Sequence, residues 1–139
     1  MRLKAHELTE GQTFEHVVVE DLTRTQIVMY AGASGDFNPL HHDEVFAVEA
    51  GYPSTFAHGM LTMGLSGRLL TDTVGDGNLV KFGARFTSQV WPGDTLTASA
   101  TVTGVRAEND QHFVDLAIRT TNQNGVEVLS GTATAVVDE

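Results

Sequence analysis

Between Phe56 and Val74 the chain sets Met60, Leu61, Met63, Leu65, Leu69, Leu70 and Val74 around nearly every side of a helix. A helix that is apolar over most of its circumference cannot face water and needs a broad apolar cover. Gly59, Gly64 and Gly67 leave room where such a cover would press closest. The rest of the fold must therefore supply something that wraps a buried helix.

The cover follows directly in sequence. Residues 78–90, 95–107, 112–121 and 127–137 are rich in β-branched and aromatic side chains. Pro92-Gly93-Asp94, Glu108-Asn109-Asp110 and Asn122-Gln123-Asn124-Gly125 separate them as turns. Connections this short predict that the last three strands form an antiparallel meander. In the first, Val80, Phe82, Ala84 and Phe86 alternate with Lys81, Gly83, Arg85 and Thr87, which predicts one core face and one wetter face. A further strand is expected over Thr13–Glu20, from Phe14, Val17, Val18 and Val19. The expected fold class is α+β, a curved antiparallel sheet wrapped around one long central helix, as a single domain over residues 1–139.

Between the first strand and the long helix lies the stretch that structure alone explains least. Thr23 with Gln26 fits a capping box, so a helix should run from about Thr23 and stop near Gly32 and Gly35. Residues 43–51 read as a short helix with acids in its first turn and Gly51 as its stop. The intervening loop carries Asp36, Asn38, His41 and Asp43 around Pro39. Asp36 and His41 are five residues apart across a proline turn, close enough to address one small volume. A carboxylate and an imidazole placed so can activate water, one taking the proton and the other returning it. Alone, each has an ordinary explanation as a turn cap or a satisfied loop histidine. Asn38 between them and a second cluster downstream favour the catalytic one.

That cluster is His58-Gly59-Met60, at the start of the long helix. Amides at a helix N-terminus are unpaired and lie at its positive pole, and Gly59 has no side chain to keep a ligand away. A thioester carbonyl there would have its developing enolate stabilised, an effect of roughly 3 to 4 kcal/mol per donor in comparable acyl chemistry.

Composition removes several classes. The chain has no cysteine, so disulfides, thiolate catalysis and cysteine zinc sites are excluded. A net charge of −10, from 18 acidic and 8 basic residues, argues against nucleic acid and anionic membranes as partners. No apolar run approaches the roughly 20 residues of a membrane span, and the polar start Met1 to Glu7 is no signal peptide, so a soluble cytoplasmic protein is expected. Lys81 and Arg85 share a strand face and are the candidate landing place for the phosphates of an anionic substrate. His41, His42, Asp36 and Asp43 match no metal-ligand spacing, and no metal is expected. Phosphate-binding glycine loops and a Gly-x-Ser-x-Gly elbow are absent.

Gly35-Asp36-Phe37-Asn38-Pro39-Leu40-His41-His42-Asp43, followed by Ala57-His58-Gly59-Met60-Leu61, resembles the paired motifs of the MaoC-like dehydratases, the (R)-specific enoyl thioester hydratases of the hotdog fold. It is similar also to the catalytic subunits of actinobacterial (3R)-hydroxyacyl-carrier-protein dehydratases. The resemblance extends over essentially the whole chain and implies a hotdog fold, usually dimeric, with Asp36 and His41 as the catalytic dyad. It further implies that Asn38 orients the loop and that the Gly59 amide binds the thioester oxygen, with His58 beside it. Some of these hydratases place a serine nine residues after that histidine; here the position is Gly67, and Ser66 just before it is the nearest hydroxyl. The implied reaction is reversible addition of water to a trans-2-enoyl thioester, giving the (R)-3-hydroxyacyl thioester, in fatty-acid metabolism. Coenzyme A or acyl-carrier phosphopantetheine then enters as part of the substrate and no other cofactor is needed. A homodimer and a heterodimer with a related hotdog subunit both remain open. The competing functions are a hotdog acyl-CoA thioesterase and a noncatalytic acyl-thioester-binding subunit.

Overall fold

The computed structural model describes residues 2–139. After a 3-10 turn at Ala5–Glu7 come β1 (Thr13–Val19), α1 (Arg24–Ser34), a 3-10 turn at Pro39–His41, α2 (Glu44–Glu49) and α3 (Gly59–Val74). Four strands complete the chain: β2 (Leu79–Phe86), β3 (Leu96–Glu108), β4 (Gln111–Thr121) and β5 (Glu127–Val137). All five strands form one antiparallel sheet in the order β1-β3-β4-β5-β2, so the meander β3-β4-β5 is its centre.

The period-2 alternation of strands settles which residues meet α3. Phe14, Ala100, Ile118, Gly131 and Ala84 stand in register across the five strands as one row of the core face. The next row, Glu15, Ser99, Arg119, Ser130 and Arg85, points the other way. Against the inner face α3 buries Thr62, Ser66, Leu69, Leu70 and Val74. Burying a leucine or valine fully contributes about 1.5–3 kcal/mol, and Leu70 and Val74 are wholly inaccessible. The wrap is incomplete, however. Met60, Gly64, Arg68 and Asp72, four residues apart, form an exposed stripe along the side of α3 that the sheet does not reach.

Two expectations about β2 need correction. The strand ends at Phe86, Thr87 N–H still donates to the Val128 carbonyl at 3.0 Å, and by Val90 the chain has left β5, with Ala57 N–H bonded to the Val90 carbonyl at 2.8 Å. Phe82 and Ala84 pack on the core as expected, but Val80 is 56% exposed and Phe86, at the end of the strand, is 49% exposed. The register shifts between Leu79 and Lys81, and the extra residue this inserts turns Val80 outward. Further along, β2 approaches β5 so closely at Gly131 that a Cβ there would press on the Gly83 carbonyl oxygen and lie 2.8 Å from the Ala84 Cα.

The capping box of α1 forms as expected. Thr23 Oγ1 accepts from Gln26 N–H at 3.0 Å, and the Gln26 side chain accepts from Thr23 N–H at 2.8 Å. Gly35, with φ of 75°, ends the helix in the left-handed conformation that suits glycine. Asp43 caps α2 rather than joining it, accepting from Phe46 N–H at 3.2 Å. Among the described residues no helix is long and apolar enough to cross a membrane.

Candidate active site

The loop released by Gly35 is held by its own short polar side chains. Asp36 Oδ1 accepts from Asn38 N–H at 3.3 Å, and Asn38 Oδ1 accepts from Leu40 N–H at 3.0 Å, capping the Pro39–His41 turn. These local bonds shape the loop and leave it to be docked. Docking comes from the segment before α3: Phe56 N–H donates to the Leu40 carbonyl at 3.3 Å.

His41 is fixed from the same segment. Its Nδ1 lies 2.7 Å from the Phe56 carbonyl oxygen. A carbonyl can only accept, so Nδ1 carries the proton and Nε2 is left with the lone pair of a base. His58 mirrors the arrangement: its Nε2 lies 3.0 Å from the Asp36 carbonyl oxygen and therefore donates, leaving Nδ1 unprotonated. The two rings stack with centroids 3.8 Å apart and planes tilted by 26°, and Tyr30 meets His58 edge-on at 4.8 Å. One polar atom each from Asp36, His41 and His58 lies within 4.8 Å of the others. Asp36 is exposed, His41 half-buried and His58 buried.

Such a trio invites a metal. Imidazole lone pairs lie in the ring plane and zinc sits about 2.0–2.1 Å from the nitrogen. Two rings stacked 3.8 Å apart with a 26° tilt do not share a plane, so an ion bound by both would lie out of the plane of each ring unless the rings turned. His42 and Asp43 are employed elsewhere. His42 Nε2 donates to the Phe37 carbonyl at 3.2 Å, and Asp43 is the α2 cap.

Burial holds His58 below its ordinary value of 6.5, and the neighbouring His41 and His42 push the same way, against the hydrogen bond to the Asp36 carbonyl and the Asp36 charge. A lowered folded-state value means that, just below 6.5, the unfolded chain binds a proton which the folded ring does not. This group's contribution to stability is therefore complete above its unfolded value and declines as pH falls from there towards the lowered one. The urea midpoint should fall between about pH 7 and about pH 5, and fall less in His58→Gln. Equal slopes in the two proteins would assign the loss to other groups.

Gly59 is the first residue of α3, where amides have no intrahelical acceptor, and His58 makes no side-chain cap there. A cavity of about 280 Å³ opens beside it, walled by Phe56, Thr62, Phe86, Val90 and Val128. The Phe86 ring lies so close that a Cβ on Gly59 would be 2.7 Å from its Cδ2. Asp36 and His41 are not in the cavity wall; Phe56 joins the two regions, its carbonyl holding His41 and the residue lining the cavity.

The structure thus brings Asp36, His41 and His58 together, with Asn38 bonded to Asp36 in the same loop and Gly59 next to His58, and places three other candidates elsewhere. Ser66 Oγ lies 2.7 Å from Thr120 Oγ1, pinning α3 to β4, and makes no hydrogen bond to the trio. Lys81 and Arg85 share the β2 face that points away from α3. Sequence reading missed Phe56, Thr62 and Phe86, which carry no local signal, and missed His58 as a member of the trio, where it stands 22 residues from Asp36.

The chain is similar to several known proteins. An (R)-specific enoyl-CoA hydratase of Rhodospirillum rubrum is 36% identical over 94% of this chain and 89% of its own length. A 3-hydroxyacyl-thioester dehydratase Y of Mycobacterium tuberculosis is 43% identical over 54% of this chain. The chain spans only 27%, 32% and 30% of the length of that protein and two other curated relatives. Among solved structures, the unliganded R-hydratase PhaJ1 of Pseudomonas aeruginosa superimposes with a TM-score of 0.86 at 29% identity, covering 99% of this chain and 87% of that one. The sheet and central helix are accordingly those of the hotdog fold. The model of the MaoC like domain matches residues 6–124, from the turn before β1 to the turn after β4, and this chain belongs to that family.

Proposed function

We propose that the chain is a hydro-lyase that adds water reversibly to trans-2-enoyl thioesters to give (R)-3-hydroxyacyl thioesters. The observation that carries this reading is the meeting of Asp36 with a His41 whose Nδ1–H is tied to the Phe56 carbonyl, leaving Nε2 free to accept a proton. One of the pair takes a proton from water as its oxygen bonds to C3, and the same proton is passed through the pair to C2, so that the hydrogen and the hydroxyl of one water are both added. Electron density moves onto the thioester oxygen in between, and the uncapped α3 terminus at Gly59 is the donor for it. The names of the similar proteins support the same chemistry and its hand.

On this reading the protein is a cytoplasmic enzyme of fatty-acid metabolism that uses neither metal nor redox cofactor. A coenzyme A or acyl-carrier phosphopantetheine arrives with the acyl chain. A second hotdog subunit, identical or related, is the proposed partner. β2 pairs on one side only, and Met29, Phe37 and Val45 expose apolar surface around the loop.

The test follows loss of enoyl absorbance from crotonyl-CoA and from a longer trans-2-enoyl-CoA, with free thiol measured in parallel. Hydration without thiol release is expected. Thiol release would favour a thioesterase instead, and an inert protein on both substrates would sink the reading for coenzyme A thioesters.

A further inference from the structure

His58 is the most buried polar group near the dyad, with 1% of its surface exposed, yet the proposed reaction gives it no task. Its single ring N–H is spent on the Asp36 carbonyl, so it cannot donate to a thioester oxygen. Nor does it cap α3. Its Nδ1 is buried without any hydrogen-bond partner. A buried imidazole retained with one nitrogen unsatisfied costs stability, which points to a task other than packing.

We propose that His58 is the positioning residue of the acid/base pair: one N–H fixes the peptide of Asp36 while the ring face carries His41. The two attachments come from a single side chain, so the separation of carboxylate and imidazole is set by one rigid ring. The remaining bonds of Asp36 run to Ser34, at the end of α1, and to Asn38 in its own loop, whereas the one to His58 ties it to the start of α3. Neutrality is part of the device. A second proton would put a donor at the unpartnered Nδ1 and a positive charge 3.8 Å from the imidazolium that His41 becomes in turnover.

This role rests on the hydratase reading, and two variants separate its parts. His58→Phe keeps a ring beneath His41 and removes the N–H; His58→Gln keeps an N–H near the Nε2 position and removes the ring. Loss of the tie is expected to lower kcat of the Phe variant by about 100-fold, the scale of a 1 Å misplacement, with KM within a few-fold of wild type. The Gln variant should recover about tenfold of that loss. A folded Phe variant with wild-type kcat overturns the proposal, as does a Gln variant no better than Phe, or a loss confined to KM. The wild-type protein supplies a measurement free of folding problems and of turnover. Ring nitrogen NMR should show His58 protonated at Nε2 and unprotonated at Nδ1 at neutral pH. An Nδ1–H tautomer or a charged ring would overturn the assignment. Should the wild type prove inert as a hydratase, the nitrogen spectrum still reads the His58 tie by itself.

Discussion

Asp36→Asn and His41→Ala should each lower the hydration rate of an enoyl thioester by about 10²- to 10⁴-fold, the range that a positioned acid or base contributes. Asn has the shape of Asp and keeps an oxygen for the Asn38 amide, which leaves the loop's local bond intact while removing the charge and the proton-carrying oxygen. The expected result for Asp36→Asn is therefore a fall in kcat with an unchanged melting temperature. His41→Ala also removes the bond to the Phe56 carbonyl and the stack on His58, and a modest loss of stability of about 1–2 kcal/mol should accompany its larger loss of rate. Stopped-flow or steady-state hydration assays beside thermal melts separate the two. An Asp36→Asn protein that retains more than about a tenth of the wild-type rate would remove the carboxylate from the mechanism.

The largest effect on stability is expected far from the loop, at Gly131→Val. The first side-chain atom would collide with the backbone of Gly83 and Ala84, and backbone in a paired strand cannot step aside as a side-chain tip can. Overpacking of this kind typically costs about 1–3 kcal/mol, and against paired backbone the upper end or more is expected. For a chain of this size that is a drop of roughly 10 °C in melting temperature. Gly83→Ala is the control, because nothing lies within 4 Å of its added Cβ, and it should melt within about 2 °C of wild type. Matching losses in the two proteins would locate the sensitivity in strand glycines generally rather than in the β2–β5 approach. Because β2 ends in Phe86, a loosened β2 should also disturb the cavity beside Gly59.

What could be read from the sequence is what short-range chemistry decides. The Thr23–Gln26 box, the stop at Gly35 and the β3-β4-β5 meander depend on residues a few positions apart, and all form. The start of α3 at His58-Gly59 was legible too, and the Phe56 and Ala57 amides just before it are taken by Leu40 and Val90, distant in sequence. Val80 was assigned to the core, and one inserted residue in β2 turned it out. Lys81 and Arg85 share the wetter face, as the alternation with Phe82 and Ala84 predicted, but periodicity does not say how far that face lies from the loop. Asp36 and His41 were legible as a pair because a proline turn joins them. His58 was read as a helix start and a supporting residue beside Gly59, and nothing local announces that it crosses 22 residues to reach the Asp36 carbonyl.

The two histidines are anchored on main-chain carbonyls, those of Phe56 and Asp36. Every residue type offers that acceptor, so the anchors ask nothing of the side chain at position 56 and nothing of exposed positions such as Phe37, Val45 and Met60 around the site. Sequence drift at these positions can reshape what approaches the dyad while its geometry stays put. Substrate choice can then diversify among descendants of this chain without each change having to rediscover the chemistry.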